Sequence, residues 1–152
     1  GVEIDLVVRG ICCLRPGVED VSENIKVVSI VDQFLEHSRI FHFLNGGDDE
    51  VYLASADWMT RNIDRRVETM FPVETPALRK RLIEALDIFL NDNVKGRALG
   101  PDGKWSKPQP PTSKLKRLRA QGRFMELAEE AARRSADRVS REFRPIKASG
   151  AG

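Results

Sequence analysis

The chain has 152 residues, 41% of them hydrophobic and 32% charged, a balance that supports one folded domain with a buried core and excludes wholesale disorder. No run reaches the roughly 18 apolar residues that a membrane-spanning helix needs, and residues 1–14 lack the basic start and small-residue cleavage site of a signal peptide, so membrane spanning and secretion are disfavoured. The net charge is +2, yet from Thr112 onward 11 Lys+Arg stand against 5 Asp+Glu, so the cations gather in the tail. Such a tail attracts phosphates or acidic surfaces, although the interspersed Glu126, Glu129 and Glu130 equally suit a solvated helix face.

In chain order, residues 4–8 read as a buried strand ending at Arg9-Gly10. Because Gly1 is not a methionine and the strand follows it so closely, the chain is expected to be a fragment. Cys12 and Cys13 are adjacent, so they neither staple the fold nor make a spaced metal site, which fits a reducing cytoplasm. Residues 25–31 form a second strand. Residues 38–44 and 50–54 form a hairpin across Asn45-Gly46-Gly47-Asp48-Asp49, a strong turn signal. A further strand is predicted over residues 66–73. Thr75 before Pro76 starts a helix, with the hydroxyl as cap and Leu78, Leu82, Leu86 and Phe89 at helical spacing as far as Asn91. Residues 94–99 make a short strand, and residues 100–111 a Gly/Pro-rich loop holding Trp105. Leu115, Leu118, Met125, Ala128, Ala132, Ala136, Val139 and Phe143 then trace one helical face over residues 113–144, with Gly122 a point where it divides. Strands first and helices after predict an α/β or α+β fold, a sheet covered by helices rather than a bundle or sandwich.

Phosphate-binding fingerprints are missing, since Gly46-Gly47 is followed by acids rather than by Lys-Ser/Thr and a helix. His37 and His42 lack zinc-ligand spacing, and no nucleophile-elbow glycines flank Ser38 or Ser55. The densest constellation is His37-x-Arg39 entering one hairpin strand and Ser55-x-Asp57 leaving the other. Positions two apart share a strand face, so each pair is expected to project together. An imidazole moves protons or attacks phosphorus, a guanidinium grips phosphate oxygens, and a hydroxyl donates to them. Arg9, at the carboxyl end of the first strand, stands where open α/β sheets place ligands. Each residue also has an ordinary alternative: an edge histidine, a surface cation, and for Arg9 an ion pair with Asp5 or Glu36.

Three blocks now point to a family: Val7-Val8-Arg9-Gly10-Ile11-Cys12, Phe34-Leu35-Glu36-His37-Ser38-Arg39, and Ser55-Ala56-Asp57-Trp58-Met59-Thr60-Arg61-Asn62 with Asp64-Arg65-Arg66-Val67-Glu68. In order and spacing they resemble the C-terminal catalytic domain of bacterial polyphosphate kinase, from Gly1 to about Arg123. That family in turn resembles the phospholipase D superfamily, whose two α/β halves each bring His-x-Lys and Gly-Ser-x-Asn to one site. Here Arg39 stands for the lysine, Ala54-Ser55-Ala56-Asp57 for the second motif and Leu44 for the usual aspartate. The resemblance implies a phospholipase D-like sheet flanked by helices over residues 1–112, and a basic helical segment over residues 113–152 with a disordered end.

It also implies the function: the C-terminal half-site of an enzyme passing the terminal phosphate of ATP to polyphosphate through a phosphohistidine in the preceding half. His37 would then be the second histidine, acting as acid, base or electrostatic partner. Arg9 would contact ATP phosphates, with Arg39 and Ser55 as further phosphate contacts. Magnesium would be bound by residues outside the chain, so no metal ligand is assigned here. The implied partners are ATP, ADP, polyphosphate and the preceding domains. The full-length enzyme would be a homo-oligomer in the cytoplasm, free or peripheral to the inner membrane, without nucleic acid or a transmembrane segment. Arg61, Arg65 and Arg66 would line the polyanion's path or pair with Asp57, Asp64 and Glu68, and ion pairing is the expectation. Two other functions remain open on sequence: a dimerising phospholipase D-like phosphodiesterase, and a noncatalytic polyanion-binding module.

Overall fold

The fold, a computed structural model, describes residues 1–107 and 116–142, the last six as helix backbone. Its elements in chain order are β1 (Ile4–Val7), β2 (Ile25–Ile30), β3 (Ile40–Phe43), β4 (Glu50–Ala54), α1 (Thr60–Ile63), β5 (Met70–Pro72), α2 (Pro76–Leu90), β6 (Gly96–Leu99), β7 (Trp105–Ser106) and α3 (Ala120–Glu142). This is a mixed α/β architecture, but the strands divide into two sheets rather than one: β1-β2-β6-β7 and β3-β4-β5.

In the first sheet β1 and β2 run parallel, Ile4 opposite Ile25 and Val7 opposite Val28. Parallel neighbours need a long crossover. A loop supplies it without a helix, closed by buried Ser22, whose hydroxyl donates to the Arg15 carbonyl and accepts from the Val18 amide. β2 is central, burying Val27, Ser29 and Ile30, and β6 pairs antiparallel on its other edge. Trp105, expected in a loop, begins β7 against Leu99.

The second sheet is an antiparallel meander. The predicted hairpin is present: Ile40 faces Leu53 and Phe43 faces Glu50. Its turn is a 3-10 turn at Asn45–Gly47, where φ is 42° at Asn45, 68° at Gly46 and 104° at Gly47. Glycine meets the last two without the Cβ penalty, and Asn tolerates the first.

α2 joins the sheets, touching β1 of one and β3 and β4 of the other. Pro76 takes the first helical position, but the Thr75 hydroxyl makes no cap bond; the Thr75 carbonyl instead accepts from the Leu78 and Arg79 amides. Its far end brings Ile88 and Phe89 to a core with Ile30 and Ala120, against which Val7, Phe124 and Leu127 pack. Phe89 and Phe124 meet edge to face with centroids 4.9 Å apart.

Three expected boundaries differ. The strand predicted over residues 66–73 is reduced to β5, because the Thr69 amide bonds the Ser55 hydroxyl rather than continuing the ladder. The one-turn helix α1 was not foreseen; it follows extended Met59 without a side-chain cap. The helix predicted from residue 113 begins at Ala120. Residues 116–119 are held by Asn93, which exchanges backbone and side-chain bonds with Lys116 and Leu118, and buried Asp92 takes the Ala120 amide at 2.8 Å. Asp92 also accepts from the amides of Val94, Lys95 and Gly96, tying α2, β6 and α3 to one carboxylate. Gly122 does not divide α3, since it lies in the first turn, where amides have no intrahelical partner to lose. Leu115, Phe143 and the predicted disordered end fall outside the described residues.

Candidate phosphate site

Arg9 leaves the parallel pair immediately after its last rung, where the Val8 amide bonds the Val28 carbonyl at 2.8 Å. Arg39 sits one residue before β3, with its carbonyl accepting from the Ala54 amide at 3.0 Å. That rung places the end of β4, and Asp57 beyond it, beside Arg39. Asp57 then joins the two sheets. Its Oδ2 accepts from Arg9 Nη2 at 2.7 Å and its Oδ1 from Arg39 Nε at 3.2 Å. Arg9 Nη1 also donates to the Glu36 carbonyl at 3.1 Å.

At the end of this line stands His37. Arg39 Nη1 donates to His37 Nδ1 at 2.8 Å and to the His37 carbonyl at 2.9 Å. Arg39 Nη1 also lies 3.4 Å from His37 Nε2, so the guanidinium sits close against the ring. The ring is exposed while Arg9, Arg39 and Asp57 are half-buried, so the imidazole is the accessible end of a fixed polar line. Burial opposes ionisation of Asp57, but hydrogen bonds from Arg9 and Arg39 outweigh it and hold its carboxyl below the ordinary 3.8.

His37 and Arg39 thus project together, although they precede β3 rather than lying in it. Ser55 and Asp57 do not act as a pair. The Ser55 hydroxyl donates to Glu68 and accepts from the Thr69 amide, so its proton is committed to a carboxylate rather than free for a phosphate. Ser55 still lines, with His37, Arg39, Leu53 and Phe71, an open depression of ≈ 400 Å³. Arg9 pairs with Asp57, and with Glu36 only through its carbonyl, not with Asp5. Among the described residues Arg61, Arg65 and Arg66 form no ion pair and are exposed, contrary to the expected pairing, because Asp57 is taken by Arg9 and Arg39 and Glu68 by Ser55. His42 lies apart, bonded to Asp49 at 2.7 Å.

Two supports carried no local sequence signal. Buried Asn62, on α1, donates from Nδ2 to the Asp57 carbonyl at 3.2 Å, and its Oδ1 has no partner among the described residues. Gln121, on α3, bonds the loop preceding His37. A divalent cation does not fit here, for both Asp57 oxygens face arginines and no cluster of three His, Cys, Asp or Glu stands together among the described residues.

Residues 1–121 match the family model described as polyphosphate kinase C-terminal domain 2. The chain belongs to the polyphosphate kinase family. It is 58% identical over 110 residues to a polyphosphate kinase of Synechocystis sp., which covers 72% of this chain and 15% of that protein. Polyphosphate kinase 1 of Chlorobaculum tepidum is 58% identical over 106 residues, covering 70% of this chain and 15% of its own length. The crystal structure of polyphosphate kinase from Porphyromonas gingivalis superposes with a TM-score of 0.77 at 46% identity, over 86% of this chain and 20% of that one. The chain therefore spans about 15% of the curated polyphosphate kinases it matches. The family match ends in the first turn of α3, and no described helix is long and apolar enough to cross a membrane.

Proposed function

We propose that this polyphosphate kinase domain forms one wall of an ATP:polyphosphate phosphotransferase site whose nucleophilic histidine lies in a preceding domain. In the first step that histidine's nitrogen bonds the γ-phosphorus of ATP, the bond to the bridging oxygen breaks, and ADP leaves. In the second a terminal oxygen of polyphosphate attacks the phosphohistidine and the histidine departs. Such transfers run through loose transition states with charge spread over the phosphoryl oxygens, so catalysis rests on positioning and on cationic donors.

The observation that carries this reading is the continuous line Arg9–Asp57–Arg39–His37. One carboxylate fixes two guanidinium forks, whose remaining N–H groups are the donors a phosphate needs. His37 ends the line with an exposed ring suited to donate a proton or stabilise charge. Exposed Arg61, Arg65 and Arg66 would border the polyanion's path. His37-x-Arg39 and Ser55-x-Asp57 occupy the places of the two phospholipase D motifs, and magnesium would be held by residues outside this chain.

In the full-length enzyme, His37→Ala should lower polyphosphate synthesis by about 100-fold or more while leaving the melting temperature nearly unchanged, because an exposed ring contributes little packing. Synthesis within two-fold of wild type would refute the role.

A further inference from the structure

We infer that Gln121 is a positioning residue for the Arg9–His37 line, an inference that rests on the function proposed above. Its side chain is 6% exposed and makes three bonds to the loop over residues 31–39. Oε1 accepts from the Phe34 amide at 3.0 Å; Nε2 donates to the Phe34 carbonyl and to Glu36 Oε1, each at 2.7 Å. One amide thus engages both backbone groups of Phe34 and the carboxylate of Glu36.

Glu36 is consequently held twice, by Gln121 through its carboxylate and by Arg9 through its carbonyl, and the next residue is His37. A second bond set acts at the start of the same loop. Arg119 donates from Nε and Nη2 to both oxygens of Asp32, at 2.7 and 2.8 Å, and the Asp32 side chain is only 2% exposed. Arg119, just before α3, and Gln121, in its first turn, therefore hold the loop at Asp32 and again at Phe34 and Glu36, and this segment is itself anchored through the bond from the Ala120 amide to Asp92.

Apolar burial does not hold this loop in place. Phe34 is 59% exposed and Leu35 71%. Its backbone geometry depends on the polar clamp, so loss of the Gln121 amide frees the loop while the core of Ile30, Ile88 and Phe89 keeps its contacts. Displacement of Glu36 then moves the acceptor of Arg9 and the ring of His37 together. An effect on charge placement during transfer should appear in kcat more than in KM, since interactions made only in the transition state act there.

The test uses the full-length enzyme. Gln121→Ala should lower kcat about ten-fold or more with KM for ATP changed less than three-fold, and should raise amide exchange at residues 34–36 without raising it at residues 88–89. Ile88→Val, which thins the core formed with Ile30 and Phe89, serves as the stability control and should keep kcat within two-fold. Gln121→Glu should be at least as impaired as Gln121→Ala, because it sets a carboxylate against Glu36 and the Phe34 carbonyl; adding Glu36→Gln restores a donor to the first of these contacts and should recover part of the activity. This rescue also decides the matter should Gln121→Ala fold poorly. Wild-type kcat in Gln121→Ala, equal losses in Ile88→Val, or no rescue would overturn the inference. Arg9→Lys separates the two readings: if it impairs turnover while the Gln121 variants do not, the proposed function stands and the positioning role fails.

Discussion

At the scale of single residues, removal of Asp57 is felt on both sides of the site, because each of its oxygens holds a different arginine and those arginines flank strands of different sheets. Its lowered carboxyl pKa makes this a pH-dependent stabilisation. A group depressed on folding contributes fully above its unfolded value, near 3.8, and loses that contribution as pH falls through the lower folded value. Asp57→Asn should therefore lower the melting temperature at neutral pH, and the gap from wild type should narrow as pH drops below about 4. Thermal scans from pH 7 to pH 2 check this, and a constant gap would show that the ion pairs contribute nothing. The spacing His37-x-Arg39 was legible in sequence because both residues belong to one short segment. The partner of Ser55 was not legible, because strand alternation cannot tell which neighbour wins a hydroxyl, here Glu68. Gln121 was illegible for a different reason: it meets Phe34 across 87 residues of sequence, and a side-chain amide bonding backbone leaves no period to detect.

At the scale of elements, turn chemistry was the reliable signal. Asn45-Gly46-Gly47 demanded positive φ and so located the hairpin, and Pro76 located the start of α2 although its expected cap bond is not made. α3 was misread at its beginning because Leu115 and Leu118 share its apolar period, whereas Asn93 and Asp92 compete for the local backbone and delay the helix to Ala120. Its first turns belong to the core and its residues 128–136 are exposed, so mutational effects should divide along this stretch. Phe124→Ala should cost about 2–3 kcal/mol, below the range for a fully buried phenylalanine because the ring is only half-buried. Arg133→Ala and Arg134→Ala, whose partners are exposed glutamates one turn away, should each stay within about 0.5 kcal/mol of wild type. Urea denaturation distinguishes these; a large effect at Arg133 or Arg134 with none at Phe124 would assign α3 a surface role rather than a packing one.

At the scale of the molecule, the α/β class followed from the order of strands and helices, but the division into two sheets did not, since alternation within a strand carries no information about its neighbours. That division matters to the chemistry: Arg9 comes from one sheet and Arg39 from the other, and α2 spans the joint between them. The line they form sets an exposed imidazole at the end of two cations held by one carboxylate. In the proposed site His37 faces a phosphate transferred from elsewhere and is not itself phosphorylated. The most direct test of this role is to expose the full-length enzyme to γ-labelled ATP, quench at alkaline pH to preserve phosphohistidine, and map the acid-labile label to a peptide. Label is expected on a histidine preceding this domain and none on His37; label on His37 would overturn the proposed role.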